Sequence, residues 1–362
     1  MKTKFITDIK LVEGITVSEQ DEIMDVCEAF SFRATEYYLS LIDWNDPDDP
    51  LRRTIIPHPE EMLEWGTLDS SREKDYTKLQ GLQHKYGSTA VLLVSDDCAG
   101  QCRYCFRKRI FLRDDPQTVA DLDAALDYIS NHREITNVLL TGGDPLMLPT
   151  SRLEEIVAKL LEIEHVGTVR VGSKTPVFNP LRIVDDPALV AMFRKYSLPG
   201  RKLYLITHFG HPGELTDLAA EGISALQEAG AIVCNQLPLI RGVNDNPVVL
   251  AGLFNMLFLM GVAPYYLFQC RPAIGNRGYA VPVEEGYDIF QQAQSMVSGL
   301  AKRSRFLMSH ATGKIEVMGK TAEHTYFKYH RAAEDVNNQR FLVCKRNPSA
   351  YWFDDYEEIP QG

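Results

Sequence analysis

Three cysteines, Cys98, Cys102 and Cys105, stand within eight residues in the stretch "DDCAGQCRYCFRKRIF", residues 96–111. The spacing is C-x3-C-x2-C, with Tyr104 before the last thiol and three basic residues, Arg107, Lys108 and Arg109, just behind. A structural zinc site asks for four ligands, usually as two C-x2-C pairs. Here no fourth cysteine is adjacent, and the nearest following histidine, His132, falls on a stretch that reads as helix. An iron–sulfur cluster ordinarily takes four thiolates. Three thiolates on a four-iron cluster leave one iron open to an outside ligand. The candidate is the amino and carboxylate end of S-adenosylmethionine (SAM). An electron from the cluster would then break a carbon–sulfur bond and release a 5′-deoxyadenosyl radical, the cofactors carrying the chemistry and the protein positioning them. Zinc and a chance grouping are the alternatives.

Such a loop needs a frame. From about residue 90, short runs rich in Val, Ile, Leu, Tyr and Thr recur: "AVLLVSD", "NVLLTG", "TVRVGS", "KLYLITH", "AIVCNQL" and "APYYLFQC". Between them lie amphipathic stretches such as "TVADLDAALDYISNH", "SRLEEIVAKLLEI", "PGELTDLAAEGISALQEAG" and "NPVVLAGLFNMLFLMG". Their apolar residues fall at helical spacing. Six strand–helix repeats with short turns predict an α/β fold with a parallel sheet and right-handed crossovers. Each unusual polar cluster follows a strand: the cysteines, "TGGDP", "GSKTP", "THFGHP", "QLPLIRGVND" and "QCRPAIGNRG". The carboxyl edge of a parallel sheet is where such folds build sites. Residues 1–89 read as a helical extension with a Pro/Asp-rich loop, "DWNDPDDP", residues 90–300 as the repeat region, and residues 301–362 as a mixed segment without a clear period.

Composition narrows the function classes. The 362 residues carry a net charge of −11, against the basic surplus of a nucleic-acid or anionic-membrane binder. No apolar run spans a bilayer, and "MKTKFITDIKLVEG" lacks a signal peptide's apolar core. A cytoplasmic protein is expected. Seven cysteines, an odd and sparse set, argue against a disulfide framework. Cys27, Cys234, Cys270 and Cys344 read as buried thiols.

The motifs resemble the radical SAM enzymes, and within them the lysine 2,3-aminomutase family. The resemblance covers nearly the whole chain to about residue 300. It is carried by "YYLSLIDWNDPDDPLRRTIIP", "GLQHKYGSTAVLLVSDDCAGQCRYCFRKR", "LLTGGDPLM", "VRVGSKTPV", "THFGHPGELT", "RGVNDNP" and "YYLFQC". It implies a partial (βα)6 barrel of the TIM type and a [4Fe-4S] cluster on Cys98, Cys102 and Cys105. It also implies contact with SAM by Gly142, Gly143, Asp144, Ser173, Lys174 and His208. Two glycines would let the backbone approach a ligand, and Asp144 would accept from the ligand's ammonium, with a plain turn as the alternative. A solvated lysine is the alternative for Lys174. His208 and His211 read as structural or SAM-contacting residues without a metal. By the same resemblance Arg107 holds the substrate carboxylate, a task suited to a guanidinium fork. Lys108 and Arg109 read equally well as a solvated basic edge.

Pyridoxal phosphate (PLP) is a further group the resemblance implies. Relatives hold it as an imine to a lysine in a "GGGGK" run, where this chain has Lys314 and only Gly313 of the glycines. The relatives' phosphate-binding arginines fall at Lys85 and Thr89. Glu316, two residues from Lys314, would oppose a lowered lysine pKa if it shared the same face, and a surface lysine is the alternative. Lysine-specific members place aspartates where this chain has Arg271 and, nearby, Ser309. Like charges repel in a desolvated pocket, so an anionic or polar substrate side chain is expected. The reading is an amino acid 2,3-aminomutase-like isomerase with a flavodoxin or ferredoxin as electron donor, assembled as a homo-oligomer. A PLP-independent radical isomerase, epimerase or lyase and a non-catalytic paralogue are its rivals.

Overall fold

The computed structural model describes residues 3–111 and 117–360. Near the N-terminus, β1 (Phe5–Ile6) pairs antiparallel with β2 (Ala34–Thr35). Around this ladder lie the short helices Val17–Glu22, Met24–Ala29, Glu36–Leu39 and Pro50–Ile55. Their starts are written locally. Thr16 and Glu19 form a capping box, Thr35 caps the third helix, and Asp49 caps the fourth, which has proline in its first turn.

One sheet of twelve strands carries the rest. Strands β3 (Thr77–Leu79), β4 (Leu82–Tyr86) and β5 (Thr89–Ser95) run as antiparallel neighbours. From β5 the sheet continues in parallel through β6 (Asn137–Gly142), β7 (Thr168–Ser173), β8 (Lys202–Thr207), β9 (Ile232–Leu239) and β10 (Ala263–Gln269). These six are the strands expected from the sequence. A seventh, β11 (Arg305–His310), is also parallel to β10. Strands β12 (Gly313–Lys320), β13 (His324–Ala332) and β14 (Phe341–Lys345) then close the order in antiparallel fashion. The N-terminal segment therefore adds strands as well as helices, and the last segment continues the same sheet.

Crossover helices Leu122–Asn131, Thr150–Glu162, Pro187–Tyr196, Asp217–Glu228, Pro247–Leu259 and Val283–Ser295 cover the outside. Asp121, Asp186, Thr216 and Asn246 cap four of them. Their apolar faces join the strands in one continuous core, with Leu140, Leu153, Val169, Leu205, Ile223 and Leu253 fully buried. None of the described helices is long and apolar enough to cross a membrane.

The sheet curls on itself. Strands β4 and β11 are seven places apart in the strand order, roughly 34 Å if flat. Yet Lys85 Nζ on β4 donates to the His310 carbonyl at the end of β11, 2.6 Å away. Tyr76 Oη reaches the Ala311 carbonyl at 2.8 Å, and Arg331 on β13 reaches Ser88 Oγ at 2.7 Å and Thr89 Oγ1 at 2.9 Å. Side chains thus bridge a gap that the backbone ladder leaves open, as an incomplete barrel requires.

Candidate active site

The cysteine loop leaves β5 after Ser95 and is held from outside by the N-terminal helices. Gln101 N–H donates to the Arg33 carbonyl at 2.9 Å, and Arg103 N–H to the Thr54 carbonyl at 2.9 Å. The Arg103 side chain, 2% exposed, forks onto Glu61 at 2.8 and 2.9 Å. A buried two-point ion pair of this kind fixes direction as well as position. The three thiols are unpaired. Burial pushes all of them up, Cys102 to about 12, so without metal they are neutral. Three thiols in one pinned loop fit a cluster whose irons each take one thiolate, and binding would release their protons. Among the described residues no three His, Cys, Asp or Glu side chains converge on a point for a single metal ion. A multi-iron cluster does not ask for that convergence.

The ends of β6 and β7 pack directly beneath this loop, and this changes the reading of "TGGDP". Gly142 has φ +127°, and a Cβ there would lie 2.3 Å from the Ser95 carbonyl oxygen. A Cβ on Gly143 would lie 2.4 Å from the Asp97 carbonyl oxygen. The glycines let the sheet edge touch the cysteine loop, through Gly143 N–H to Ser95 at 2.6 Å and Asp144 N–H to Asp97 at 2.7 Å. Gly143→Ala is expected to cost on the order of 2 kcal/mol, because the obstructing atom is backbone and cannot step aside. Thermal unfolding and iron content after reconstitution are the measurements, and both are expected to fall.

Asp144 is likewise engaged. Its carboxylate accepts from the Leu146, Lys174 and Thr175 backbone N–H groups at 2.8–2.9 Å and from Ser173 Oγ at 2.7 Å. Four donors use about as many lone-pair sites as a carboxylate has. In this structure it clamps β6 to β7, where the sequence suggested an acceptor for a ligand ammonium. Lys174 is not solvated. It is 8% exposed, with Nζ 2.9 Å from Glu214 and 3.0 Å from the His208 carbonyl. Glu214 also accepts from Tyr38 Oη at 2.8 Å. The His208 ring lies 3.4 Å from Tyr104 Oη, and burial, aided by the Lys174 charge, holds it neutral. His211 instead caps the turn Pro212–Glu214 through Nδ1.

Deeper in the barrel the chemistry is cationic. Arg107 holds Glu73 through Nε at 3.1 Å and Nη2 at 2.9 Å, and Arg109 pairs with the other oxygen. Burial would raise the Glu73 pKa, but Arg107, Arg109 and Arg271 outweigh it and keep the carboxylate charged. Lys108 is also buried, bonded to Glu61 and the Gly275 carbonyl. The solvated basic edge is therefore absent at these positions; both side chains are interior. Arg271 bonds Ser71, and its guanidinium carbon sits over Phe106, 3.6 Å from the ring centre. Burial lowers its pKa to about 10.

Lys314 points into the same interior, its Nζ 5.1 Å from the Tyr86 ring centre and 5.4 Å from that of Tyr266. Burial first, then the charges of Arg170, Arg331, Arg271 and Lys85, lower its pKa to about 7. Lys85 is lowered to about 8 for the same first reason. The opposing effect feared from Glu316 does not arise, because Glu316 pairs with Arg305 at 2.8 Å. A shift in the β12–β13 register falls directly after Lys314. Gly313 is required there: its φ is +153°, and a Cβ would meet the Arg331 carbonyl at 2.4 Å.

The family model described as the Radical SAM superfamily matches residues 92–251. An Aquifex aeolicus protein provisionally named an L-lysine 2,3-aminomutase is 50% identical over 99% of this chain and 96% of its own length. The L-lysine 2,3-aminomutase of Clostridium subterminale is 38% identical over 81% of this chain and 70% of its own. The glutamate 2,3-aminomutase of Clostridioides difficile is 36% identical over 82% of this chain and 70% of its own. The chain belongs to the lysine 2,3-aminomutase family of radical SAM enzymes. It is thus an aminomutase-like isomerase whose cofactors include a [4Fe-4S] cluster and SAM.

Within this aminomutase the structure brings Arg107, Arg271, Lys85 and Lys314 into one interior, and gathers Cys98, Cys102 and Cys105 with Asp144, Ser173, Lys174 and His208 at the sheet edge. The sequence did not point to Glu73, Arg170 or Arg331. Glu73 lies in the charged run "SREKDYTK", which has no period to mark an inward residue. Arg170 sits mid-strand in "TVRVGS", and a charge interrupting an apolar strand was its one available signal.

Proposed function

We propose that this enzyme shifts the amino group of an α-amino acid bearing an acidic or polar side chain from C2 to C3, with the cluster on Cys98, Cys102 and Cys105 and PLP on Lys314. The observation that carries the reading is the interior charge. Lys85, Arg170, Arg271, Lys314 and Arg331 surround one space and have no ion-pair partner among the described residues. Among the described residues, the carboxylate that acts on both Arg271 and Lys85 is Glu73, already held by Arg107 and Arg109. A substrate ammonium would enter that field at a cost; a carboxylate is drawn into it. Having a glutamate-specific relative supports the same choice.

Each residue then has a task. Arg107 exchanges Glu73 for the substrate's α-carboxylate, while Arg109 keeps Glu73 in place. Arg271, seated over Phe106, presents its fork to the side-chain carboxylate. Lys314, its pKa lowered to about 7 by burial and the neighbouring cations, offers a substantial fraction of neutral amine that can bond to an aldehyde. The helices and the curled sheet keep water from the interior. When bound, the cluster and SAM supply the radical that takes hydrogen from carbon, and PLP carries the migrating nitrogen. A flavodoxin or ferredoxin as electron donor, a homo-oligomeric assembly and a cytoplasmic location complete the proposal. The uniformly unpaired cysteines suit a reducing compartment.

The test is anaerobic turnover across a panel of amino acids, read as 5′-deoxyadenosine and β-amino acid by mass spectrometry. Glutamate or a similarly polar amino acid is the expected substrate, and Arg271→Asp is expected to lower its turnover about 100-fold, the size of a lost charge-assisted pair. Vigorous conversion of free lysine by the wild-type enzyme would refute the charge argument.

A further inference from the structure

Position 89 is where the family resemblance calls for a phosphate-binding arginine, and this chain has threonine. The structure places a guanidinium there from elsewhere in the chain. Arg331, on β13, donates through Nη1 to Thr89 Oγ1 at 2.9 Å and through Nη2 to Ser88 Oγ at 2.7 Å. Its guanidinium carbon lies 4.6 Å from the Tyr86 ring centre, and Lys314 Nζ rests against the same ring. Arg170 faces them from β7. The Arg170 guanidinium has no ion-pair partner among the described residues, and its buried Nε has no hydrogen-bond partner. A buried cation left this way costs stability unless an anion arrives.

We infer that Arg331, with Arg170 beside it, is the phosphate clamp of this enzyme, a charge moved from position 89 on β5 to β13 across the barrel seam. The inference rests on the reading that Lys314 carries PLP. One ring, Tyr86, lies against both the lysine that would meet the aldehyde and the arginine that would meet the phosphate. A phosphate carries a charge between about −1.5 and −2, which Arg331 and Arg170 together match, leaving Arg107 and Arg271 for the substrate. Arg331 already joins β13 to Ser88 and Thr89 at the start of β5, so the proposed clamp stands on the barrel seam.

The experiment titrates the purified chain, without cluster or SAM, with PLP, with pyridoxal, which lacks the phosphate, and with inorganic phosphate as a competitor. Binding is read by absorbance and by borohydride fixation followed by peptide mapping. At pH 9, where Lys314 is neutral with or without the Arg331 charge beside it, Arg331→Gln is expected to weaken PLP about 10- to 100-fold, to abolish competition by phosphate, and to leave pyridoxal unaffected. Thr89→Arg added to Arg331→Gln is expected to restore PLP affinity, an outcome a merely structural arginine would not produce. Arg331→Lys, which keeps the charge and loses the fork, is expected to fall between, and guards against a folding defect in the Gln variant. Equal losses for PLP and pyridoxal, or no loss for either, would overturn the clamp. If phosphate binds in an Arg331-dependent way while no adduct forms on Lys314, the clamp stands and the Lys314 reading fails. If phosphate does not bind wild-type protein, the clamp fails whatever Lys314 does.

Discussion

Alanine at Cys98, Cys102 or Cys105 is expected to leave a folded protein without a cluster and with SAM cleavage below detection. Each thiol is small and, before metal arrives, neutral, so removing it disturbs the fold little. The loop is held by other groups: Arg103 on Glu61, the Gln101 and Arg103 backbone bonds, and the glycine contacts beneath. The effect on iron is far larger. A cluster with three protein ligands has none to spare, and two thiolates leave half its irons unheld. Cys270→Ala is the control. That thiol is buried among Tyr104, Ile240, Val243 and Tyr279, and its Sγ faces the Arg271 carbonyl. It is expected to keep full iron and sulfide content. Iron, sulfide and 5′-deoxyadenosine per chain are the measurements. Loss of the cluster in Cys270→Ala would break the three-thiolate account.

The second large effect belongs to Lys314. Lys314→Ala is expected to lose the borohydride-fixed phosphopyridoxyl adduct and aminomutase turnover together, while the cluster still assembles. The pH dependence follows from the pKa of about 7. Above pH 7 the amine is neutral and reacts with PLP. Below it, the rate of PLP uptake by the ligand-free protein is expected to fall roughly tenfold per pH unit. The groups around Nζ do not reverse this. Arg170, Arg331, Arg271 and Lys85 are cations that lower the pKa, and burial raises the Tyr86 and Tyr266 phenols, which stay neutral.

The same shift has a signature in stability. The folded pKa lies below the unfolded value of 10.5, so between pH 7 and 10.5 the unfolded chain binds a proton that the native protein does not. Stability from this group therefore rises with pH across that window and is at its lowest below pH 7. Lys314→Met is expected to stabilise the ligand-free protein by roughly 1–2 kcal/mol near pH 6, the gain shrinking toward pH 10. Denaturant titrations at several pH values measure it. A pH-independent difference would mean that Lys314 is solvated.

Much of the architecture was legible because local rules and burial agreed. The six parallel strands read as apolar runs since both of their faces are covered, and the helices between them read from apolar residues at helical spacing. The segment after residue 300 was illegible for another reason. Strands β12 and β13 do alternate, with Ile315, Val317, Phe327 and Tyr329 turned to the core, but register shifts interrupt their pairing and no helix separates them, so they do not extend the strand–helix repeat. The strand β4 hid likewise, with Lys85 inside a short, mixed run.

The site divides in the same way. The sequence by itself put the three candidate cluster thiols together, because three cysteines in one loop need no help from distant residues to be neighbours. It also gave the sign of the charge at Arg271, where the family resemblance implies an anion in lysine-specific members, since one residue type decides the sign. Only the tertiary structure decided what the remaining groups do. It showed "TGGDP" as the joint beneath the cysteine loop, gave Glu73 to Arg107, and paired Glu316 with Arg305. It also brought Arg331 to Thr89 across 242 positions of sequence. The physical reason is range. Coordination spacing and backbone capping act over a few residues, whereas the field at a buried amine sums charges from β4, β7, β13 and the loop after β10. Those strands come together only when the sheet has curled.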